Sequence, residues 1–238
     1  MKIGVLLCDR VNPALRPEFG DYPEMFTALL NDLSDTPELA FYASYNGELP
    51  LSAIECDAYV ISGSKHSVND KFEWIAQLQS FILILYQKQI PLVGICFGHQ
   101  LIAKALGGKV ALSEKDWGLG VTKLNVFEPQ GWMHSNQSQL NLLVSHQEQV
   151  ITLPKGAKIL AGNDFCPIGI FQIGRHFLGI QGHPEFTPEY TAALIQLRAG
   201  QISNQTLDLA LASLRLDVNR ELVLNWIAQF LRPAPQTQ

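Results

Sequence analysis

Pro91-Leu92-Val93-Gly94-Ile95-Cys96-Phe97-Gly98-His99-Gln100 is the stretch on which the fold turns. An apolar strand, Leu92 to Ile95, runs into a Gly-x-Cys-x-Gly turn and then into a helix-periodic segment, Leu101 to Leu106. This is the thiol counterpart of a nucleophile elbow. Gly94 and Gly98 stand two residues either side of Cys96, where a sharp strand-to-helix turn leaves no room for a Cβ beside the nucleophile. The turn is expected to project the sulfur into solvent at the first turn of a helix. Unpaired backbone N–H groups and the positive dipole end there favour thiolate over thiol. Buried and inert is the commoner fate of a free cysteine. Cys8, Cys56 and Cys166 fit it: the first ends an apolar run, the second adjoins a strand, and the third precedes a proline with no glycine bracket.

Outward from the elbow, short apolar runs alternate with amphipathic stretches, the pattern of a mostly parallel sheet flanked by helices. Strands are expected at Lys2 to Leu7, Ala58 to Ser62 and Leu92 to Ile95, and helices at Pro23 to Leu33 and Phe72 to Gln87. After the Gly107-Gly108 stop come shorter β-rich pieces, Gly120 to Phe127, Leu142 to Ser145, Lys158 to Ala161, Ile168 to Ile173 and Phe177 to Gln181. They read as a smaller β-hairpin layer. Thr187 followed by Pro188 marks a capped helix start, and helical pattern continues in pieces to Leu231, with Leu222, Val223, Trp226, Ile227, Phe230 and Leu231 on one apolar face. That face is expected to pack onto the parent domain, with a dimer contact as the alternative. The expected division is residues 1–190, a C-terminal helical extension of the same domain at 191–231, and a flexible tail at 232–238.

The chain has 238 residues, 47% hydrophobic and 16% charged, enough apolar material for a large core. A formal charge of −5 with scattered lysines and arginines offers no field for nucleic acid. The first apolar run is too short for a signal segment, and no run approaches a membrane span. Four irregularly spaced cysteines point to a reducing, cytoplasmic compartment rather than a disulfide framework. No His/Cys/Asp cluster has metal-ligand spacing, so no metal or other cofactor is expected. Gly107-Gly108-Lys109 lacks the remaining features of a phosphate loop.

A cysteine nucleophile needs a base, and the base an orienting group. Gln181-Gly182-His183-Pro184-Glu185 offers both: Pro184 keeps His183 out of the helical region, and in an extended segment residues 183 and 185 share a side. Glu185 could then fix the imidazole tautomer. His99, on the elbow helix, faces either core or cleft. His66, His134 and His176 have no partner pattern.

Gly94-Ile-Cys96-Phe-Gly98-His-Gln100, the following Leu101 to Gly108, and Gly182-His183-Pro-Glu185 together resemble the class I glutamine amidotransferase family, especially the amidotransferase domain of GMP synthase. The likeness runs from the first strand to about Tyr190. It implies a flavodoxin-like α/β fold and a Cys96-His183-Glu185 triad. It also implies oxyanion-hole donors at the Phe97 N–H and in the loop Ser62-Gly63-Ser64. Glutamine would be held by Gln100 and by a Ser-His-x-x-x-Val stretch, here Ser145, His146 and Gln147 through Val150. Where synthase-type members have Gly-Gly-Pro, this chain has Ser62-Gly63-Ser64-Lys65-His66, then Asp70 and Trp74. That loop, with Asp116-Trp117-Gly118, is similar to the stand-alone branch that includes γ-glutamyl peptidases.

The resemblance implies hydrolysis of a γ-glutamyl amide through a cysteine thioester, releasing ammonia from glutamine. About 50 residues beyond Tyr190 are too few for a synthetase domain. Ammonia would therefore pass to a separate synthetase chain, or the enzyme would act alone as a γ-glutamyl peptidase on glutathione-like conjugates. A reading of another class is a non-catalytic thiol sensor, against which the His183-Pro-Glu185 motif counts, or a regulatory binding subunit that keeps the triad with its pocket closed until a partner docks.

Overall fold

The computed structural model describes residues 1–31, 35–133 and 137–232. The end of the helix expected at Pro23 to Leu33, His134 and the tail beyond Arg232 lie outside the described residues. The strands are β1 (Lys2–Leu6), β2 (Glu38–Tyr42), β3 (Ala58–Ile61), β4 (Leu92–Ile95), β5 (Lys109–Leu112), β6 (Gly118–Val126), β7 (Gln139–His146), β8 (Glu148–Thr152), β9 (Ala157–Gly162), β10 (Ile170–Ile173) and β11 (Phe177–Ile180). Nine of them form one sheet in the order β2-β1-β3-β4-β11-β10-β9-β6-β7, and β5 pairs with β8 in a small separate sheet.

The half from β2 to β11 is wholly parallel, and from β11 onward the pairing is antiparallel. The hairpin strands expected as an added layer are thus joined edge to edge with the parallel strands; only β5 and β8 stand apart. Three short strands carry no clear pattern in the sequence: β2 is a half-exposed edge, and β5 and β8 pair only with each other.

The parallel strands are apolar almost without interruption because both faces are covered. Ile3, Val5, Val60, Val93, Ile95, Leu178 and Ile180 face one core, completed by helices α2 (Tyr22–Asn31) and α7 (Arg220–Leu231). Leu6, Tyr59, Ile61, Leu92 and Phe177 face the other, completed by α3 (Glu73–Lys88) and α4 (Phe97–Ala105). The period-2 side-chain alternation of each strand is visible in this division. The short α1 (Arg16–Phe19) precedes α2. Helix α5 (Pro188–Leu197) starts where Thr187 Oγ1 accepts from the Tyr190 N–H, as the sequence predicts, and α6 (Asn204–Ser213) follows.

The apolar face of α7 is buried by its own chain: Val223, Trp226, Ile227, Phe230 and Leu231 all lie in the core, and Trp226 Nε1 donates to the Met133 carbonyl at 2.6 Å. No helix among the described residues is long and apolar enough to cross a membrane. Loops leaving the C-terminal ends of β1, β3, β4 and β11, four neighbours in the sheet, bring Asp9, Gly63, Cys96 and His183 to one edge. Open parallel sheets bind ligands at that edge.

If α7 is integral to the core, Trp226→Ala should cost about 3–5 kcal/mol, the range for deleting a buried aromatic. Urea unfolding measures this, and a loss below about 1 kcal/mol would mean that the helix contributes little.

Candidate active site

At the elbow Cys96 has φ 51° and ψ −98°, a left-handed conformation that side-chain-bearing residues rarely adopt. A Cβ built on Gly94 would lie 2.4 Å from the carbonyl carbon and oxygen of Gly98, and one on Gly98 would lie 2.6 Å from the Ile61 carbonyl oxygen. Both glycines are therefore required by backbone contact, as the sequence predicts. One expectation fails. Cys96 is only 5% exposed and is reached through cavities, because the loops after β1, β3 and β11 close over the turn. Phe97 is the first residue of α4, so its N–H has no acceptor within the helix.

His183 Nδ1 lies 2.8 Å from Glu185 Oε1, with the His183 and Glu185 side chains 4% and 0% exposed. The segment is a turn rather than extended chain, with the Phe186 N–H reaching the His183 carbonyl at 3.4 Å, yet it places the two side chains together as expected. Among the described residues the second carboxylate oxygen has no partner, so Glu185 acts on one imidazole. Phe186 stacks on that imidazole at 3.9 Å and 3° between planes and is braced edge-on by Tyr190. Gly63 faces the same ring: a Cβ there would be 2.9 Å from His183 Cε1 and 3.8 Å from Cys96 Cβ. Ser64 lines the cleft, and its Oγ accepts from the His66 N–H within its own loop.

Cys96 stands between two cavities. The smaller, about 200 Å³, is bounded by Gln100, Ser145, His146, Gln147 and Glu148. The larger, about 620 Å³, is bounded by His183, Phe186, Tyr190, Tyr22, Arg10 and Arg16. Ser64, Lys65, Trp117, Ser145 and Arg198 line both. Gln100 Nε2 donates to the Glu148 carbonyl at 2.8 Å and to Gln181 Oε1 at 3.1 Å, which leaves its own Oε1 for a ligand. Of the ten residues singled out in the sequence, Cys96, His183, Ser64, Gln100, Ser145, His146 and Gln147 line the two cavities, while Glu185 and Gly63 lie against His183 and Phe97 follows Cys96 at the turn.

The family model for glutamine amidotransferase class-I matches residues 39–197. This chain belongs to the class I glutamine amidotransferase family. It is 30% identical over 227 residues to gamma-glutamyl peptidase 4 of Arabidopsis thaliana, covering 91% of this chain and 90% of that one. It is 35% identical over 111 residues to the glutamine-hydrolyzing GMP synthase of Marinobacter nauticus, covering 43% of this chain and 21% of that one. The fold superposes on a glutamine amidotransferase from Thermotoga maritima with a TM-score of 0.72 at 20% identity, over 96% of each chain.

Three further residues shape this cleft, of which only Trp117 falls in a stretch that the sequence marks, Asp116-Trp117-Gly118. Phe186 fixes the imidazole plane, Trp117 forms a shared wall, and Arg198 comes from just beyond the matched segment. The Arg198 guanidinium lies 4.8 Å over the Trp117 ring and donates to Ser145 Oγ. Two other histidines are held neutral: burial pushes His99, packed against Phe171 in the core, down to about 3, and His146 down to about 4. His146 Nδ1 lies 3.1 Å from the Glu148 carbonyl, which can only accept, so Nδ1 carries the proton. Burial pushes the Cys166 thiol up to about 12, consistent with an inert role; Cys8 and Cys56 are likewise buried and unpaired.

His183 is the exception. Burial alone pushes its pKa down, but the charges of Glu185 and Cys96, with hydrogen bonds to both, push it up to about 10. Their net effect favours the protonated imidazole. Removing a negative charge beside a cation must lower its pKa, so Glu185→Gln should shift the His183 titration, followed by NMR of the ring protons, to well below 10. An unmoved titration would show that Glu185 does not set the proton on His183.

Proposed function

We propose that the chain hydrolyses a γ-glutamyl amide through a thioester on Cys96, with glutamine as donor and ammonia as the first product. The observation that carries this reading is the place of Cys96 between two cavities, with Gln100 lining one and His183 the other. The glutamyl half fits the smaller cavity. Its volume of about 200 Å³ would hold six or seven waters at ~30 Å³ each, room for one amino acid.

In the first step the Cys96 thiolate attacks the γ-carbonyl, and the oxyanion is met by the Phe97 N–H and the Gly63-Ser64 loop. The His183 imidazolium gives its proton to the departing nitrogen, which leaves as ammonia. The now neutral His183 takes a proton from water, whose oxygen attacks the thioester, and glutamate departs as the sulfur is regenerated. Glu185 holds the imidazole in register and stabilises its cationic form. Gln100, Ser145, His146 and Gln147 bound the space for the glutamyl group. No step calls for a metal or organic cofactor. Four unpaired thiols suit a reducing, cytoplasmic setting.

A second reading, a γ-glutamyl peptidase acting on glutathione-like conjugates, is favoured by one observation. The cavity on the His183 side, where the leaving amine departs, is about 620 Å³ and part aromatic, far larger than ammonia requires. In the first reading a separate synthetase chain would take the ammonia. A thiol sensor would need neither a charged His183 nor a carboxylate devoted to it, and a regulatory subunit that keeps the triad would turn over only once its partner docks.

Ammonia or amine release should be measured side by side on glutamine and on a glutathione conjugate, with Cys96→Ala as the blank. Cys96→Ala should abolish turnover with the fold intact, and residual turnover by it would remove the central role of Cys96. Faster cleavage of the conjugate would identify a peptidase acting alone. Glutamine turnover that rises when cell extract is added would identify one chain of a two-chain amidotransferase. Gln100→Ala should raise KM by about tenfold, with a smaller effect on kcat, because it removes binding made in the ground state. An unchanged KM would contradict its role.

A further inference from the structure

We infer that Arg198 is the receptor for the α-carboxylate of the substrate's glutamyl half, an inference that rests on the reading of Cys96 as attacking a γ-glutamyl carbonyl. Four lysine and arginine side chains line the joined cavities, and three of them face carboxylates. Lys65 Nζ is 2.9 Å from Asp9, Arg10 Nε is 2.8 Å from Asp21, and Arg16 is 4.0 Å from Asp21. Among the described residues no carboxylate lies within ion-pair distance of Arg198. It donates to the Ser145 hydroxyl and lies over the Trp117 ring, with the Cys96 sulfur acting on it across the cleft.

A half-buried guanidinium without a hydrogen-bonded carboxylate is costly, and the cost is relieved when one arrives. Stacking on Trp117 holds the guanidinium in place while most of its five N–H groups remain free, the fork geometry that grips a carboxylate through two bonds. The smaller cavity also holds a carboxylate with no cation within ion-pair distance among the described residues: Glu148, which accepts from Ser67 Oγ at 2.7 and 2.8 Å. One unmatched positive and one unmatched negative group on the wall of a cavity sized for an amino acid complement the carboxylate and ammonium of an α-amino acid head. Cys96 then stands at its γ-carbonyl end. The leaving half carries no obligatory carboxylate, whereas every γ-glutamyl substrate carries this one.

The test is calorimetric binding of three ligands to the Cys96→Ser chain, which cannot form the thioester: L-glutamine, its α-carboxamide, and 4-carbamoylbutanoate, which lacks the α-amino group. The carboxamide should bind about tenfold or more weaker than glutamine, as expected for loss of a charged hydrogen-bonded partner. Adding Arg198→Gln should erase that difference while leaving the penalty for the missing amino group. Arg198→Lys should restore part of the preference, which a merely structural role would not produce. The inference is overturned if the carboxylate preference survives Arg198→Gln, if all three ligands weaken equally, or if glutamine does not bind. It is also overturned if Arg198→Gln, made with Cys96 intact, instead erases a preference for γ-glutamylglycine over its glycinamide in turnover. Should the unmodified chain turn over no γ-glutamyl amide while the Arg198-dependent preference persists, the hydrolysis reading falls and the carboxylate receptor stands.

Discussion

The contact between Gly94 and Gly98, with no space for a Cβ on either, is the constraint from which the site follows. It pulls the first turn of α4 against the end of β4 and against Ile61 of β3, so the nucleophile has one position relative to two strands. The cost falls on Cys96, a side-chain-bearing residue held at φ 51°, and such strain is of order 1–3 kcal/mol. Burial offsets it: Phe97, Leu101, Ile102 and Ala103 of the same helix are fixed in the core beneath the turn. The strain also aims the sulfur at the cleft beside the unpaired N–H of Phe97.

A second constraint is electrostatic. Glu185 is fully enclosed and directed at His183, whose far side faces the sulfur, so the imidazole keeps its proton despite burial that would otherwise remove it. Phe186 holds the ring plane, and Gly63 admits the ring edge to the loop that would meet the oxyanion. In the proposed reaction the two cavities separate the halves of the substrate, with Gln100 on the acyl side and His183 on the side of the departing amine. Neutral His146, its proton directed to the Glu148 carbonyl, adds no competing charge.

The elbow and the parallel half of the sheet are legible in the sequence because each is local: a glycine bracket around Cys96 and buried apolar runs at Lys2, Ala58 and Leu92. The His183-Pro-Glu185 pairing is legible because its members are two positions apart, although the turn that joins them reads as extended chain. Strands β2, β5 and β8 are not, since their residues are half exposed and pair only at edges. Nor is the enclosure of Cys96, which depends on loops distant in sequence. Arg198 is the hardest to see. Its meaning arises from Trp117 and Ser145, dozens of residues away, and it lies past the segment that carries the family likeness.

In the proposed reaction, turnover centres on a covalent bond between Cys96 and a γ-glutamyl group, formed while His183 supplies the proton to the leaving nitrogen. The most direct measurement is acid quenching of the chain during turnover of glutamine or a γ-glutamyl peptide, followed by mass spectrometry of the peptide that contains Cys96. The predicted result is a glutamyl adduct on Cys96 that forms before glutamate accumulates and is lost with hydroxylamine. Turnover with no adduct at Cys96, or with an adduct on another residue, would contradict it.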